Sequence, residues 1–248
     1  MASRGEEIDA SVRRANAAPL PKRFYAEVAV RAHANGFAVV LDDKPIRTPG
    51  KAELVVQHRN VAESIAAEWR AQVAVIDPKS MPLTRLVNST IDGVAGNLSE
   101  VAADCLRYAG SDLLCYRADG PAKLVALQAK HWDPVLAWAQ SEFGCGFKTA
   151  VGVGYVEQPK ANAAPLADAI GKLDAFQLAG LQSMTTLMGS VLLALAVQYG
   201  QLGAAAAWAA AHVDEDFQIG QWGEDAEARS RREFRWADMQ AAARLVRI

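Results

Sequence analysis

Residues 24–56 read FYAEVAVRAHANGFAVVLDDKPIRTPGKAELVV. Apolar and polar side chains alternate over residues 24–30, which predicts a strand with one buried face, because successive side chains of a strand point to opposite faces. Asn35-Gly36 then favours a tight hairpin, since both residues tolerate positive φ. We therefore predict an antiparallel meander whose later strands cover residues 37–41, 45–48 and 53–56, with turns at Asp42-Asp43 and Pro49-Gly50.

The periodicity changes after this meander. Val61, Ile65 and Trp69 lie at helical spacing. The dipeptides Asp77-Pro78 and Met81-Pro82 then interrupt the helical pattern, because the residue before a proline is disfavoured in a helix. Beyond residue 82 helices predominate. The predicted helices cover residues 83–94, 98–108, 122–143, 166–173, 175–187, 191–199, 204–219 and 225–246, with short strands at 113–116 and 151–156.

This pattern predicts an α+β protein. Residues 1–22 are expected to be a mobile N-terminal arm, residues 23–80 a small α/β domain built on an antiparallel sheet, and residues 81–248 a larger, mainly α-helical C-terminal domain.

Composition excludes several classes of protein. The net charge of −2 and the isoelectric point near 6.1 argue against nucleic-acid binding. The three cysteines are odd in number and lack C-x-x-C spacing, so neither a disulfide framework nor a zinc site is expected. No apolar run reaches the roughly 20 residues that a membrane span needs. Because the N-terminus lacks the features of a secretory signal or a transit peptide, we expect a bacterial cytoplasmic protein.

Motifs of catalysis are missing. The sequence has no phosphate-binding P-loop and no G-x-S-x-G nucleophile elbow, and Gly152 and Gly154 form a lone G-x-G. The four histidines are scattered and form no H-x-x-x-H pair, so no metal site is predicted. Trp132 and Trp138 are expected to pack in the core rather than to stack on a ligand.

The acidic segment, residues 214–228, is the most informative part of the chain. If residues 204–219 form one helix that continues to Trp222, steps of three and four place Trp208, His212, Glu215 and Trp222 on one stripe. Glu215 would then lie among large apolar groups, where a carboxylate needs a partner or a shifted pKa. The residues alone leave two interpretations open: an internal ion-pair network and an exposed binding surface.

Eight segments of the chain resemble one known family. They are RFYAEVAV (23–30), GFAVVLDDKPIRTPGK (36–51), AAEWRAQ (66–72), IDPKSMPLTRLVNSTIDGV (76–94), SDLLCYRADGP (111–121), WDPVLAW (132–138), GSVLLALA (189–196) and DEDFQIGQWGEDAEA (214–228). Their order and spacing are similar to those of the assembly chaperone of the F-type ATP synthase that acts on the alpha subunit of the catalytic head.

The resemblance implies a non-enzymatic role without cofactor or metal. Such a chaperone binds the unassembled alpha subunit and shields its interface until the beta subunit replaces it. Eukaryotic relatives work in the mitochondrial matrix, and the chain is expected to be monomeric when free, without nucleic-acid binding or membrane insertion. The resemblance assigns client binding to Asp214, Glu215, Gln218, Trp222, Gly223, Glu224 and Asp225, with Glu215 as the critical carboxylate.

One position departs from the family's pattern. Relatives usually have an acidic residue where this chain has Gly220, just before Gln-Trp-Gly. Two other hypotheses stay open from the residues alone: a metal- or carboxylate-dependent hydrolase using residues 212–216, and a structural helical adaptor in which Glu215 is satisfied internally.

Overall fold

The structure, a computed structural model, describes residues 19–152 and 154–246. Its sheet begins with the hairpin of β1 (Val28–His33) and β2 (Gly36–Leu41), which pair antiparallel with His33 opposite Gly36. Strands β3 (Lys44–Pro45) and β4 (Val55–Val56) both pair antiparallel with β2. Asp42 and Asp43 connect β2 to β3 at φ 46° and 63°, as expected for a tight turn made by residues that tolerate the left-handed region.

The predicted antiparallel strands are present, but they do not form a simple meander, because β4 pairs with β2 rather than with β3. Their ends also differ from those predicted. The first strand begins at Val28 rather than at residue 24, because the Ala26 and Glu27 N–H groups donate to the Asp42 carboxylate, at 3.1 and 2.8 Å, instead of to the backbone of β2. Before them, the Arg23 N–H donates to the carbonyl oxygen of Ala74 at 3.0 Å. The Ile76 N–H likewise donates to the Pro21 carbonyl at 2.8 Å. The last residues of the predicted arm therefore belong to the folded part, whereas residues 1–18 lie outside the described residues.

Helices make up most of the chain after β4. In chain order they are α1 (Arg59–Arg70), α2 (Pro82–Asp92), α3 (Leu98–Tyr108), α4 (Ala122–Phe143), α5 (Ala163–Gly171), α6 (Ala175–Met188), α7 (Val191–Gln198), α8 (Ala204–Ala211), α9 (Val213–Trp222) and α10 (Ala226–Val246). The α+β class is thus confirmed. None of the helices in the described part of the chain has the length and apolar content needed to cross a membrane.

Two sequence predictions about local structure are wrong. Residues 113–115 form a 3-10 helix rather than a strand, because the buried Asp112 side chain accepts a hydrogen bond from the Leu114 N–H and so caps a helical turn. The short strands are β5 (Tyr116–Arg117) and β6 (Ala150–Val151), which pair parallel to each other. The second strand is therefore much shorter than the 151–156 predicted.

Two clusters of buried side chains form the core. One packs the sheet against α1, with Val39, Leu54 and Ile65 at its centre. The other surrounds α7, every residue of which from Val191 to Val197 is buried. Helix α10 contributes to both clusters, so its C-terminal half joins them. The division of the chain at residue 80 stays a prediction.

Well-defined helix ends fix the elements around α7. Asp174 begins α6 with a capping box: its carboxylate accepts the Gln177 N–H at 2.9 Å, and the Gln177 side chain accepts the Asp174 N–H at 3.2 Å. Ser190 caps the start of α7 by accepting the Leu193 N–H. Asp112 also accepts the Leu192 N–H, which connects the 3-10 turn to the start of α7.

Candidate functional site

The acidic segment begins in α9, which is separated from α8 by a break at His212. The backbone of His212 (φ −112°, ψ 21°) leaves the helical region, so residues 204–219 do not form the single helix that was predicted. The apolar stripe inferred from that helix is wrong for the same reason. Trp208 and His212 are buried, whereas the Glu215 side chain is 43% exposed.

His212 is a buried core residue at this break. Its ring stacks on Trp208 with 3.9 Å between the ring centroids, and its Nδ1 donates to the Trp208 carbonyl oxygen at 2.8 Å. The Nε2 atom lies 3.9 Å from a carboxylate oxygen of Glu215. Burial lowers the pKa of His212, despite that nearby carboxylate, and thus favours the neutral ring.

Three of the candidate binding residues lie on one exposed face of α9. Glu215, Gln218 and Trp222 follow each other at steps of three and four, and we call this set the outer face of α9. Trp222 is 89% exposed, more than any other large apolar side chain in the described part of the protein. The outer face therefore combines one carboxylate and one amide with a nearly free indole ring.

The other four candidates support the segment instead, Asp214 at the start of α9 and the other three at the turn that follows it. Asp214 accepts a hydrogen bond from the Gln128 side chain of α4 at 2.7 Å. Gly223 turns the chain between α9 and α10 at φ 82° and ψ 174°, a conformation available essentially to glycine alone. Glu224 pairs with Arg229 at 2.7 Å, and Asp225 accepts the Ala228 N–H at 3.0 Å, which caps the start of α10.

Comparisons with known proteins identify the family. The sequence profile described as ATP12 chaperone protein matches residues 22–140. Among solved structures, Atp12 from Paracoccus denitrificans shares 42% sequence identity and has a TM-score of 0.83, covering 91% of this chain and 97% of that one. The chain belongs to the ATP12 chaperone family. A protein from Agrobacterium tumefaciens, described as the putative chaperone Atu1473, is 46% identical with a TM-score of 0.86, over 92% of this chain and 86% of that one.

Membership of the ATP12 family confirms the resemblance that the sequence indicated. The chain is a chaperone and not an enzyme, so the hydrolase hypothesis for residues 212–216 is wrong. In the structure, His212 is engaged with Trp208. No group of three or more metal-ligating side chains lies close together in the residues that the structure describes. Trp132 is fully buried and Trp138 partly so, as predicted for core residues.

Two partners that hold α9 of this ATP12-family chain were not predicted from the sequence. Gln128 on α4 anchors Asp214, and Arg232 on α10 pairs with Asp216 at 2.5 Å. Both partners are distant in sequence from the residues that they hold, so no local spacing indicates them. In the sequence, the pair of Arg232 and Asp216 is indicated only by the excess of arginine at residues 229–235, directly after an acidic stretch.

Proposed function

We propose that this chain binds the unassembled alpha subunit of the F-type ATP synthase catalytic head. It shields the surface that the alpha subunit presents to the beta subunit, until the beta subunit replaces it. The chain acts in the cytoplasm of a bacterium and is a monomer when free. The resemblance to assembly chaperones of this complex supports the proposal, together with membership of the ATP12 chaperone family.

Client binding is assigned to the acidic segment, with the residues Asp214, Glu215, Gln218, Trp222, Gly223, Glu224 and Asp225 contributing either by contact or by support of the contact surface. The observation that carries this assignment is the 89% exposure of Trp222 at the end of α9. Aromatic side chains bury about 150–250 Å² each and are enriched among the residues that dominate protein interfaces. Because the ring of Trp222 is in water in the free protein, its burial by a partner contributes favourable binding free energy.

The residues of the segment contribute in two ways. Glu215 and Gln218 flank Trp222 on the outer face of α9 and provide polar contacts at the rim of the interface, where charge selects the partner more than it adds affinity. The other four residues act by positioning the outer face. Asp214 anchors the start of α9 to α4, whereas Gly223, Glu224 and Asp225 shape the turn that follows α9. Glu215 is the carboxylate that we expect to matter most for the choice of client.

Purified alpha and beta subunits offered separately to the immobilised chain test the proposal. We expect recovery of alpha and not of beta, and about 30-fold weaker alpha binding for Trp222→Ala, as for a residue worth about 2 kcal/mol at an interface. Glu215→Lys is expected to weaken alpha binding as well. Glu142→Lys is the matched control, because Glu142 is exposed on α4 outside the acidic segment.

Equal recovery of both subunits, unchanged by Trp222→Ala and Glu215→Lys, would show that the chain has no specific alpha-binding site in this segment. If alpha is recovered but a Glu215→Gln variant loses only stability, the structural-adaptor hypothesis for Glu215 is favoured instead. Circular dichroism and the thermal midpoint of each variant separate loss of binding from loss of folding.

A further inference from the structure

A groove runs behind α9, on the side opposite the outer face. It has a volume of about 250 Å³ and lies between the N-terminal half of α4 and the length of α9. Apolar side chains of Leu127, Val213 and Phe217 form its walls. Small-molecule sites usually measure about 300–1,000 Å³, so this groove is suited to one or two side chains rather than to a cofactor.

The groove is open at Gly220. Residues 213, 217 and 220 follow at steps of four and three, so position 220 belongs to the face of α9 that lines the groove. A Cβ atom placed on Gly220 meets nothing within 4 Å. Glycine inside a helix reduces stability relative to alanine, and here its missing side chain keeps the mouth of the groove free.

The charges around the groove favour an anionic neighbour. Lys123 is exposed at the rim and forms no ion pair with any residue in the described ranges 19–152 and 154–246. The one carboxylate in the lining, on Asp216, is already paired with Arg232. His131, on the same helix, adds an imidazole ring that can form a hydrogen bond. The uncompensated charge at the rim is therefore positive, although the acidic segment as a whole is negative.

We propose that the groove receives one large apolar side chain of the client protein, followed or preceded by a carboxylate that pairs with Lys123. This inference rests on the proposed function, since the client would contact α9 on both its outer face and its groove side. An apolar side chain that enters the groove removes its own surface and the groove walls from water, which supplies affinity, while the ion pair sets orientation.

Filling the groove tests the first half of the proposal. Gly220→Leu places a side chain over the mouth, and we expect about 10-fold or greater weakening of binding to the purified alpha subunit, as for an apolar anchor that can no longer be buried. Ala206→Leu is the control for added apolar surface, because Ala206 is exposed on α8 and does not line the groove. Binding by Gly220→Leu at the wild-type affinity would overturn the proposal.

Charge reversal tests the second half. Lys123→Glu is expected to weaken alpha binding by about 3- to 10-fold at low salt, with a smaller effect at high salt, because salt screens an exposed pair. Lys160→Glu serves as the control, since Lys160 is also exposed, is also without an ion pair in the described part of the chain, and lies outside the groove. Equal effects of the two reversals would leave only general electrostatic attraction, and would contradict a specific carboxylate.

A labelling measurement covers the case in which Gly220→Leu alters the fold. Cys105, Cys115 and Cys145 are buried and free, so a Gly220→Cys variant offers a single accessible thiol to a maleimide reagent. Bound alpha subunit is expected to slow its labelling by about 10-fold or more. If alpha binds and the labelling rate is unchanged, the groove inference fails while the proposed function stands. If wild-type chain captures no alpha subunit, the proposed function itself fails.

Discussion

Replacement of Gly180 by alanine tests how closely α6 packs on α10, the helix that runs from the tip of the acidic segment into the core. At Gly180 the two helices are so close that a Cβ atom would lie 2.7 Å from the Val246 Cγ1 atom and 2.8 Å from the carbonyl oxygen of Ala242. Ordinary contacts of a Cβ begin near 3.4 Å. Because one neighbour is backbone, relief requires α6 and α10 to move apart by several tenths of an ångström.

The magnitude is set by two opposing effects. Alanine gains about 1 kcal/mol of helix propensity over glycine, whereas overpacking of a close-packed interior costs about 1–3 kcal/mol. Because one of the close contacts is with a backbone oxygen, we place the overpacking cost in the upper part of that range, at about 2–3 kcal/mol. Gly180→Ala is then expected to lower the free energy of unfolding by about 1–2 kcal/mol. The matched control is Gly220→Ala, where the new Cβ meets nothing within 4 Å and the propensity gain of about 1 kcal/mol remains.

Urea denaturation followed by circular dichroism measures both variants. With about 2–3 kcal/mol between them, and a slope of about 2–3 kcal/mol per molar urea, the two midpoints are expected to differ by roughly 1 M. A Gly180→Ala midpoint at or above that of the wild type, while Gly220→Ala is stabilised, would refute the close approach of α6 and α10. Equal increases in the free energy of unfolding for both variants would mean that helix propensity alone determines their stability.

Three further predictions concern stability. Trp132→Phe is expected to cost about 1–3 kcal/mol in urea denaturation, because the buried indole donates to the Ala210 carbonyl at 2.7 Å and its loss leaves that oxygen unpaired. Gly223→Ala is expected to cost about 1–3 kcal/mol, because alanine is strained at φ 82° and ψ 174°; an unchanged midpoint would contradict that conformation. Burial raises the pKa of Asp112 from 3.8 to about 6, so the stability due to this carboxyl is fully present below pH 3.8 and is lost as the pH rises to 6. Unfolding free energies of wild type minus those of Asp112→Asn should therefore fall by about 3 kcal/mol from about pH 4 to about pH 7, and a difference that rises would contradict the raised pKa.

Periodicity and turn chemistry predicted most of the fold. The bounds of α3 and α4 agree with those expected from the sequence, since α3 ends at a Tyr–Ala–Gly sequence and Pro121 precedes α4, both strong local signals. The first strand was extended too far toward the N-terminus, because alternation alone does not show that the Ala26 and Glu27 N–H groups donate to the Asp42 side chain instead of to the backbone of β2. Pairing partners are set by tertiary structure, which local patterns do not contain.

The candidate site was predicted in part. Spacing placed Glu215 and Trp222 on one face, and they do share the outer face of α9. The break at His212 escaped prediction, because eight residues of high helix propensity precede it and neither proline nor glycine marks it. The ring of His212 stacks on Trp208 and bonds its carbonyl, and these tertiary contacts accompany the break. The groove behind α9 depends on Lys123 and Leu127, which are about 90 residues away in sequence.

Hydrogen exchange of the chain, with and without purified alpha subunit, tests client binding through the acidic segment most directly because it needs no substitution. We expect bound alpha subunit to slow exchange of the backbone amides of α9 (Val213–Trp222) and of the turn at Gly223, with little change in the sheet. A complex that forms while exchange in α9 stays as fast as in the free chain would contradict client binding through this segment.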